Sequence, residues 1–148
     1  MRLTTILILA MFTFFSCKKE KGGEALDGKW KMIKYYDRND NAFHTKPDTS
    51  ADVFLVIDGD KYSTLSGLQP MSEGTYFLFE KDISFNPRIT FFPVVTSDQW
   101  TDMFSWAIVA CQLQSAYPCS PSKLEYLSSN QIRINTPLRM DIVLMKVR

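Results

Sequence analysis

The chain has 148 residues, of which 45% are hydrophobic and 14% aromatic, and its formal net charge is +1. This length fits one domain, and the apolar content is sufficient for a packed core, which excludes a largely disordered chain. Nucleic-acid binders usually carry a basic excess or a basic stripe, and the sequence has neither. We therefore predict no nucleic-acid partner.

The first 16 residues have the order of a bacterial signal peptide. Arg2 gives a positive start, residues 3–15 form an apolar run, and Ser16 is a small residue directly before Cys17. A membrane-spanning helix needs about 20 apolar residues, so this shorter run favours cleavage before Cys17 over an uncleaved anchor. Cleavage removes Arg2 and leaves 16 basic against 16 acidic residues, so the mature chain is neutral.

The segment Phe14-Phe15-Ser16-Cys17 resembles a lipobox, the motif in which the cysteine thiol receives a diacylglyceryl group and the new N-terminus is acylated. The resemblance implies a lipid anchor at Cys17, with palmitate as a typical acyl chain. An ordinary secretory cleavage site beside an unmodified Cys17 is the alternative. Residues 17–25 are then the lipidated cysteine and a charged, flexible tether, and residues 26–148 form the domain. We expect it in the cell envelope, anchored to the outer membrane; the periplasmic side is favoured, and the cell surface is the alternative.

Short β-like runs separated by turn residues predict an all-β domain from Gly28 onward. The runs cover residues 29–36, 53–57, 61–65, 75–79, 83–85, 88–95, 124–127, 132–135 and 141–147. A phase shift at Ile33 predicts a bulge, the Asp58-Gly59 pair predicts a hairpin, and residues 37–50 and 66–74 are predicted as loops. About eight strands close into a barrel, so the predicted fold is an antiparallel up-and-down β-barrel.

Residues 97–114 are predicted as one helical insertion in this barrel. The apolar residues in this segment fall at helical spacing: Trp100, Met103, Phe104, Ala107, Ile108 and Cys111. Ser97 is the predicted N-cap, and Asp98 falls in the first turn, where the helix dipole favours an acid. Trp106 does not fall on this stripe, so a strand through Phe104, Trp106 and Ile108 is the alternative.

The sequence contains no recognisable catalytic or metal-binding motif. It has one histidine, His44, in a polar segment, and a lone loop histidine is more often a solvated residue than a general base. The phosphate-binding, dinucleotide-binding, nucleophile-elbow and zinc signatures are absent. Asp58 and Asp60 flank a hairpin glycine and are best explained by turn chemistry. We predict no catalytic residues, no metal and no cofactor.

Cys111 and Cys119 are an even pair in a protein that leaves the reducing cytoplasm, so a disulfide between them is favoured. A buried free thiol is the alternative. The aromatic residues Tyr62, Tyr76, Trp100 and Trp106 are candidate ligand-binding residues, although core packing explains aromatic side chains in most small domains.

Several short motifs behind the signal peptide resemble the lipocalin-like lipoproteins of Bacteroidetes. They are Leu26-Asp27-Gly28-Lys29-Trp30, Asp58-Gly59-Asp60-Lys61-Tyr62, Gly74-Thr75-Tyr76 and residues 127–134. The resemblance makes Gly28 and Trp30 the structural Gly-x-Trp pair of the first strand, with Arg139 or Arg148 stacked on Trp30. It also makes residues 96–122 an insertion that covers a barrel end or presents a partner surface.

Three functions are compatible with this sequence. The first is a lipid-anchored, non-catalytic protein that binds a small apolar or amphipathic molecule in the barrel. The second is an envelope module with a filled barrel that binds a protein or a glycan through its surface. The third, an enzyme, has no support from the residue inventory.

Overall fold

The computed structural model describes residues 26–90, 98–110, 112, 119–138 and 140–148. In these residues the chain forms nine strands and one helix. They are β1 (Gly28–Asp37), β2 (Ala42–Thr45), β3 (Val53–Asp58), β4 (Lys61–Ser66), β5 (Gln69–Phe79), β6 (Asp82–Thr90), α1 (Gln99–Ile108), β7 (Ser122–Ser128), β8 (Gln131–Asn135) and β9 (Met140–Val147).

The strands form one antiparallel sheet in the order β2-β1-β3-β4-β5-β6-β7-β8-β9, and β1 also pairs with β9. This last pairing closes β1 and β3 to β9 into a ring, while the short β2 pairs with the second half of β1. Strands that pair in the ring follow one another in the chain, except that β2 comes between β1 and β3 and that β1 closes onto β9. The predicted up-and-down antiparallel barrel with one helix is therefore confirmed.

One edge of β1 pairs first with β3 and then with β2, and its other edge pairs with β9. Residues 28–31 pair with β3, residues 34–37 pair with β2, and the register with β9 shifts between Met32 and Lys34. Such a bulge increases twist and bends the strand, which is what a tightly curved barrel needs. The bulge predicted at Ile33 is confirmed.

The predicted loop at 66–74 is wrong. β4 and β5 are joined by the two-residue turn Gly67-Leu68, and β5 then runs unbroken from Gln69 to Phe79. Pro70 lies beside a register shift between β4 and β5, and Gly74 lies at a register shift between β5 and β6. Proline and glycine are tolerated in a sheet at such irregular positions, so here they mark bends in a strand.

Two further segments differ from the prediction. The polar segment 37–50 contains the edge strand β2, whose residues alternate between half-buried and exposed and pair with the second half of β1. The runs 83–85 and 88–95 belong to one strand, because β6 continues through Pro87 opposite the register shift at Gly74. Residues 91–95 lie outside the described residues.

The barrel has two different ends. At the first, Trp30 Nε1 donates to Leu26 O at 2.7 Å, Asp27 accepts from Gly59 N at 3.1 Å, and Lys146 N donates to Asn130 O at 2.8 Å. We call this the Trp30 end; it carries the first described residue, the β3–β4 and β7–β8 turns and the tip of the β5–β6 hairpin. The opposite end, which carries α1, is the helix end.

Alternating side chains of the strands point inward and form one core with the buried face of α1. Its members include Leu55 and Ile57 of β3, Ile132 and Ile134 of β8, and Ile142 and Leu144 of β9. Among the described residues, no helix is long and apolar enough to cross a membrane.

Candidate functional site

The helix α1 begins where an acidic side chain caps it. Asp98 has an extended backbone, and its carboxylate accepts from Thr101 N at 2.8 Å. The helical stripe is confirmed and the alternative strand is wrong, but the described cap is Asp98, because its carboxylate reaches one of the otherwise unpaired amides of the first turn. The predicted cap, Ser97, lies outside the described residues. The helix ends at Ile108, several residues before the predicted end.

The buried face of α1 packs onto the helix end of the barrel. Trp100, Thr101, Phe104, Ala107 and Ile108 are buried, and the rings of Trp100 and Tyr35 of β1 lie 5.9 Å apart. Beyond the helix, Gln112 Nε2 donates to the carbonyl of Phe85 in β6 at 2.8 Å. The helix α1 therefore covers the helix end, and Gln112 satisfies a carbonyl of β6, which pairs with β7 at two positions within the described chain.

Replacing Asp98 by alanine is expected to loosen this cover and to lower the free energy of unfolding by about 1 kcal/mol. Burial opposes ionisation of Asp98, but hydrogen bonds from Ser50 and Thr101 and the charge of Lys46 hold its pKa below the ordinary value. A lowered pKa means that this stability is present above about pH 4 and is lost as the pH falls through the folded-state pKa.

Chemical denaturation between pH 3 and pH 7 measures both effects, and Asp98→Asn is the matched control. Asparagine caps a helix about as well as aspartate but does not titrate, so this variant should keep most of the stability at pH 7 without the acid-dependent loss. Equal stability of wild type and Asp98→Ala at pH 7 would show that the cap does not hold the helix.

Inside the barrel, two of the predicted ligand-binding residues gather around Phe85. The ring of Tyr62 lies 5.0 Å from that of Phe85 in an edge-to-face arrangement, and Tyr76 lies 6.2 Å from it. Tyr62 is buried in the core, and Tyr76 packs against it. These ring contacts are those of core packing.

Two hydrogen-bond donors in this interior have no partner. The hydroxyl of Tyr62 and Nε1 of Trp100 are buried without a hydrogen bond. Ser72 lies close to the Tyr62 hydroxyl but outside hydrogen-bond geometry, and the Ser72 and Thr64 hydroxyl oxygens are 2.8 Å apart. Burial raises the pKa of Tyr62, and the nearby Ser72 hydroxyl only opposes this shift, so the phenol stays a donor at neutral pH.

Leaving a buried donor unsatisfied costs about 1–3 kcal/mol, so each of these two groups would gain from a hydrogen-bond acceptor. The described core has no buried lysine or arginine that would neutralise an anion. A neutral acceptor such as a carbonyl or hydroxyl oxygen is therefore the group that these donors suit.

The other predicted site residues lie elsewhere. Trp106 is 44% exposed on the outer side of α1, away from Tyr62 and Tyr76. Trp30 is buried at the Trp30 end, where the cation over its ring is Lys146, with Nζ 5.3 Å from the centroid. This cation is not Arg148, and Arg139 lies outside the described residues, so its predicted stacking on Trp30 stays a prediction.

Gly28 is explained by the path of that lysine. A Cβ at this position would lie 2.9 Å from Lys146 Cε, and the backbone φ of +124° is one that side chains rarely adopt. Glycine therefore lets the Lys146 stem pass over the start of β1 to reach Trp30.

His44 is not a solvated loop residue. It lies in β2 and stacks on Tyr35 with ring centroids 4.8 Å apart, and its Nε2 is 2.7 Å from Asp40 Oδ2. Both side chains are partly exposed. Within the described parts of the chain, no group of three or more histidine, cysteine and acidic residues is placed to hold a metal ion.

Cys17 and Cys111 lie outside the described residues, so lipidation of Cys17 and the Cys111–Cys119 disulfide stay predictions.

The outer face of β3 to β6 carries a groove of about 660 Å³. Val56 and Tyr62 contribute to its lining, but most of the lining residues are polar and both signs of charge are present: Asp58, Lys61, Ser63, Glu73, Thr75, Asn86 and Arg88. A second depression of about 460 Å³ lies between the start of α1 and the β4–β5 turn. Sequence reasoning missed the outer groove, because its residues lie on four strands and come together only in the folded sheet.

The buried carboxylate of Asp141 was also not predicted from the sequence. The side chain of Asp141 is 4% exposed and bridges two arginines, with Arg38 at 2.5 Å and Arg133 at 2.7 Å. Arg38 also donates to the carbonyls of Thr136 and Leu138. This cluster ties the β1–β2 turn to β8 and β9 where the ring closes.

Searches of family models and of curated proteins give no match. Solved structures do match: a lipocalin-like protein from Bacteroides uniformis has a TM-score of 0.52 and 20% identity, over 83% of this chain and 99% of that one. A protein from Burkholderia xenovorans has a TM-score of 0.56 and 15% identity, over 84% of this chain and 86% of that one. The described chain therefore has a lipocalin-like fold, a closed antiparallel β-barrel with one helix.

Proposed function

We propose that this protein is a lipid-anchored, non-catalytic binding protein of the bacterial cell envelope that holds a small, mainly apolar molecule inside its barrel. The observation that carries the proposal is the pair of buried, unpartnered donors, Tyr62 Oη and Trp100 Nε1. A neutral acceptor oxygen on the bound molecule would satisfy either donor. The ligand is therefore expected to be apolar with a carbonyl, ester or hydroxyl group.

The lipocalin-like fold supports this proposal, since barrels of about eight strands have room for side chains or for one small ligand. The described interior is closed by α1, so the ligand would enter at the helix end as the helix moves away.

Native mass spectrometry of residues 18–148, exported without the lipid and purified gently, tests the binding proposal. Wild type should carry a reproducible mass adduct that is lost on denaturation, and Tyr62→Phe should lose most of it. The ligand-free Tyr62→Phe protein should be as stable as wild type or more stable, because an unsatisfied hydroxyl has been removed. Tyr126→Phe is the matched control, since its hydroxyl belongs to an exposed residue. An adduct kept by Tyr62→Phe would refute the role of this hydroxyl.

The anchor and the location are tested separately. The expectation rests on the signal peptide and on the resemblance of residues 14–17 to a lipobox. Labelled palmitate should be incorporated into the full chain and not into the Cys17→Ala variant. Cell fractionation should place the wild type in the envelope membranes, and a soluble, unlabelled wild type would refute the anchor.

A second candidate function is favoured by the outer groove on β3 to β6. Its mixed charges and hydroxyl groups suit a polar partner such as an envelope protein segment or a glycan. If the purified protein carries no adduct, pull-down from envelope extracts is the appropriate experiment. Loss of a captured partner in Glu73→Lys, with retention in Asp48→Lys outside the groove, would support this function.

A further inference from the structure

The folded domain starts at the Trp30 end of the barrel. Leu26 is fully buried and its carbonyl accepts from Trp30 Nε1, while Asp27 is bonded to the β3–β4 turn. Eight residues separate Leu26 from Cys17. Eight residues span at most about 28 Å when fully extended and about 15 Å on average as a flexible chain. A lipid on Cys17 would therefore hold this end of the barrel close to the membrane.

The same end exposes large apolar side chains at its turns. Phe79, at the tip of the β5–β6 hairpin, is 54% exposed, and Tyr126 and Leu127, before the β7–β8 turn, are 51% and 44% exposed. The tip of the β5–β6 hairpin packs against the start of β7, because Leu124 N donates to Lys81 O at 2.7 Å and Lys123 pairs with Asp82. Tyr126 and Leu127 follow two to three residues after Leu124 in the same strand. Phe77 lies two residues from Phe79 on the same face and is also exposed.

We propose that the Trp30 end rests on the lipid bilayer, with Phe79, Tyr126 and Leu127 inserted into its interface. Aromatic side chains prefer the interface between water and hydrocarbon, where the ring is buried and polar groups stay hydrated. The contact rests on the lipid anchor proposed above, which makes it intramolecular. Short tethers give effective concentrations of millimolar order, so a few weakly inserting side chains are sufficient.

Charge does not drive this contact. The β5–β6 tip and the adjacent part of β7 carry Lys81 and Lys123, but also Glu80, Asp82 and Glu125, so both signs are present. Attraction to anionic lipid would weaken with salt, whereas insertion of apolar side chains does not. The docking is therefore expected on zwitterionic vesicles and at high ionic strength.

The experiment replaces the natural lipid by an artificial anchor. Residues 18–148, which include every described element, carry an N-terminal hexahistidine and are bound to phosphatidylcholine vesicles that contain a nickel-chelating lipid. Hydrogen exchange should slow about fivefold or more at residues 77–82 and 126–130 when the protein is on vesicles, in both 50 and 500 mM salt. Exchange at residues 67–69, at the helix end, should not change.

Paired variants give the control. Phe79→Ser with Leu127→Ser should lose the protection, while Phe43→Ser with Leu68→Ser, which removes exposed apolar residues away from the Trp30 end, should keep it. Unchanged exchange at the Trp30 end, or equal losses in both variants, would overturn the proposal. The same protection without vesicles, rising with protein concentration, would show that a second copy covers this surface and would also overturn it. Because the hexahistidine replaces the acyl chains, none of these outcomes depends on whether Cys17 is acylated.

Discussion

Replacement of Asp141 by asparagine is expected to lower the free energy of unfolding by roughly 3 kcal/mol. The carboxylate is buried and bridges Arg38 and Arg133, so its loss leaves two guanidinium groups without their anion. The value falls at the lower end of the range for buried ion pairs, because both arginines keep part of their surface in water. Chemical denaturation at neutral pH measures the change.

The matched control is Asp82→Asn, which removes an exposed carboxylate paired with Lys123. A pair of this kind contributes at most about 1 kcal/mol, so this variant should be close to wild type. Equal effects of the two substitutions would mean that the Asp141 cluster does not help to close the ring between β1 and β9. If Asp141→Asn lost a bound ligand but kept the stability of wild type, the cluster would act in binding and not in closing the ring.

The elements predicted well from sequence are those whose signals are local. The β3–β4 hairpin follows from β-branched runs around Asp58-Gly59, and α1 follows from the spacing of Trp100, Phe104 and Ile108. Prediction failed where the role of a residue depends on the strand that lies beside it in the sheet. Pro70 and Gly74 usually end strands, and only the neighbouring strands show that each lies at a register shift inside β5.

The candidate site was predicted in part for the same reason. Alternation places Tyr62 and Thr64 on one face of β4, so the sequence contains the signal for a polar group among apolar neighbours on the inward side. That the Tyr62 hydroxyl has no partner depends on Ser72 of β5, which bonds to Thr64 instead. Lys146 over Trp30 and the two arginines around Asp141 likewise depend on which strands meet when the ring closes.

Replacement of Gly74 by alanine is expected to cost roughly 3 kcal/mol or more of unfolding free energy. A Cβ at this position would lie 2.1 Å from Asn86 O and 2.9 Å from Arg88 N, and both are backbone atoms of β6. No side-chain rotation relieves such a contact, so β5 and β6 must separate or the register shift must move. Circular dichroism during thermal unfolding measures the loss, and hydrogen exchange should be fastest in the β5–β6 hairpin.

Gly67→Ala is the control for the general cost of replacing a glycine in this region. Its φ is +60°, and no atom would lie within 4 Å of the new Cβ, so the substitution should cost only about 1–2 kcal/mol through the left-handed backbone. Comparing Gly74→Ala with Gly67→Ala also tests the proposed ligand binding, because Gly74 is the partner of Tyr62 in the β4–β5 register. If the Tyr62 hydroxyl orients a ligand, the folded fraction of Gly74→Ala should retain less of the mass adduct, whereas Gly67→Ala should retain it fully. A Gly74→Ala protein with wild-type stability would show that the close approach of β5 and β6 is not needed for the barrel.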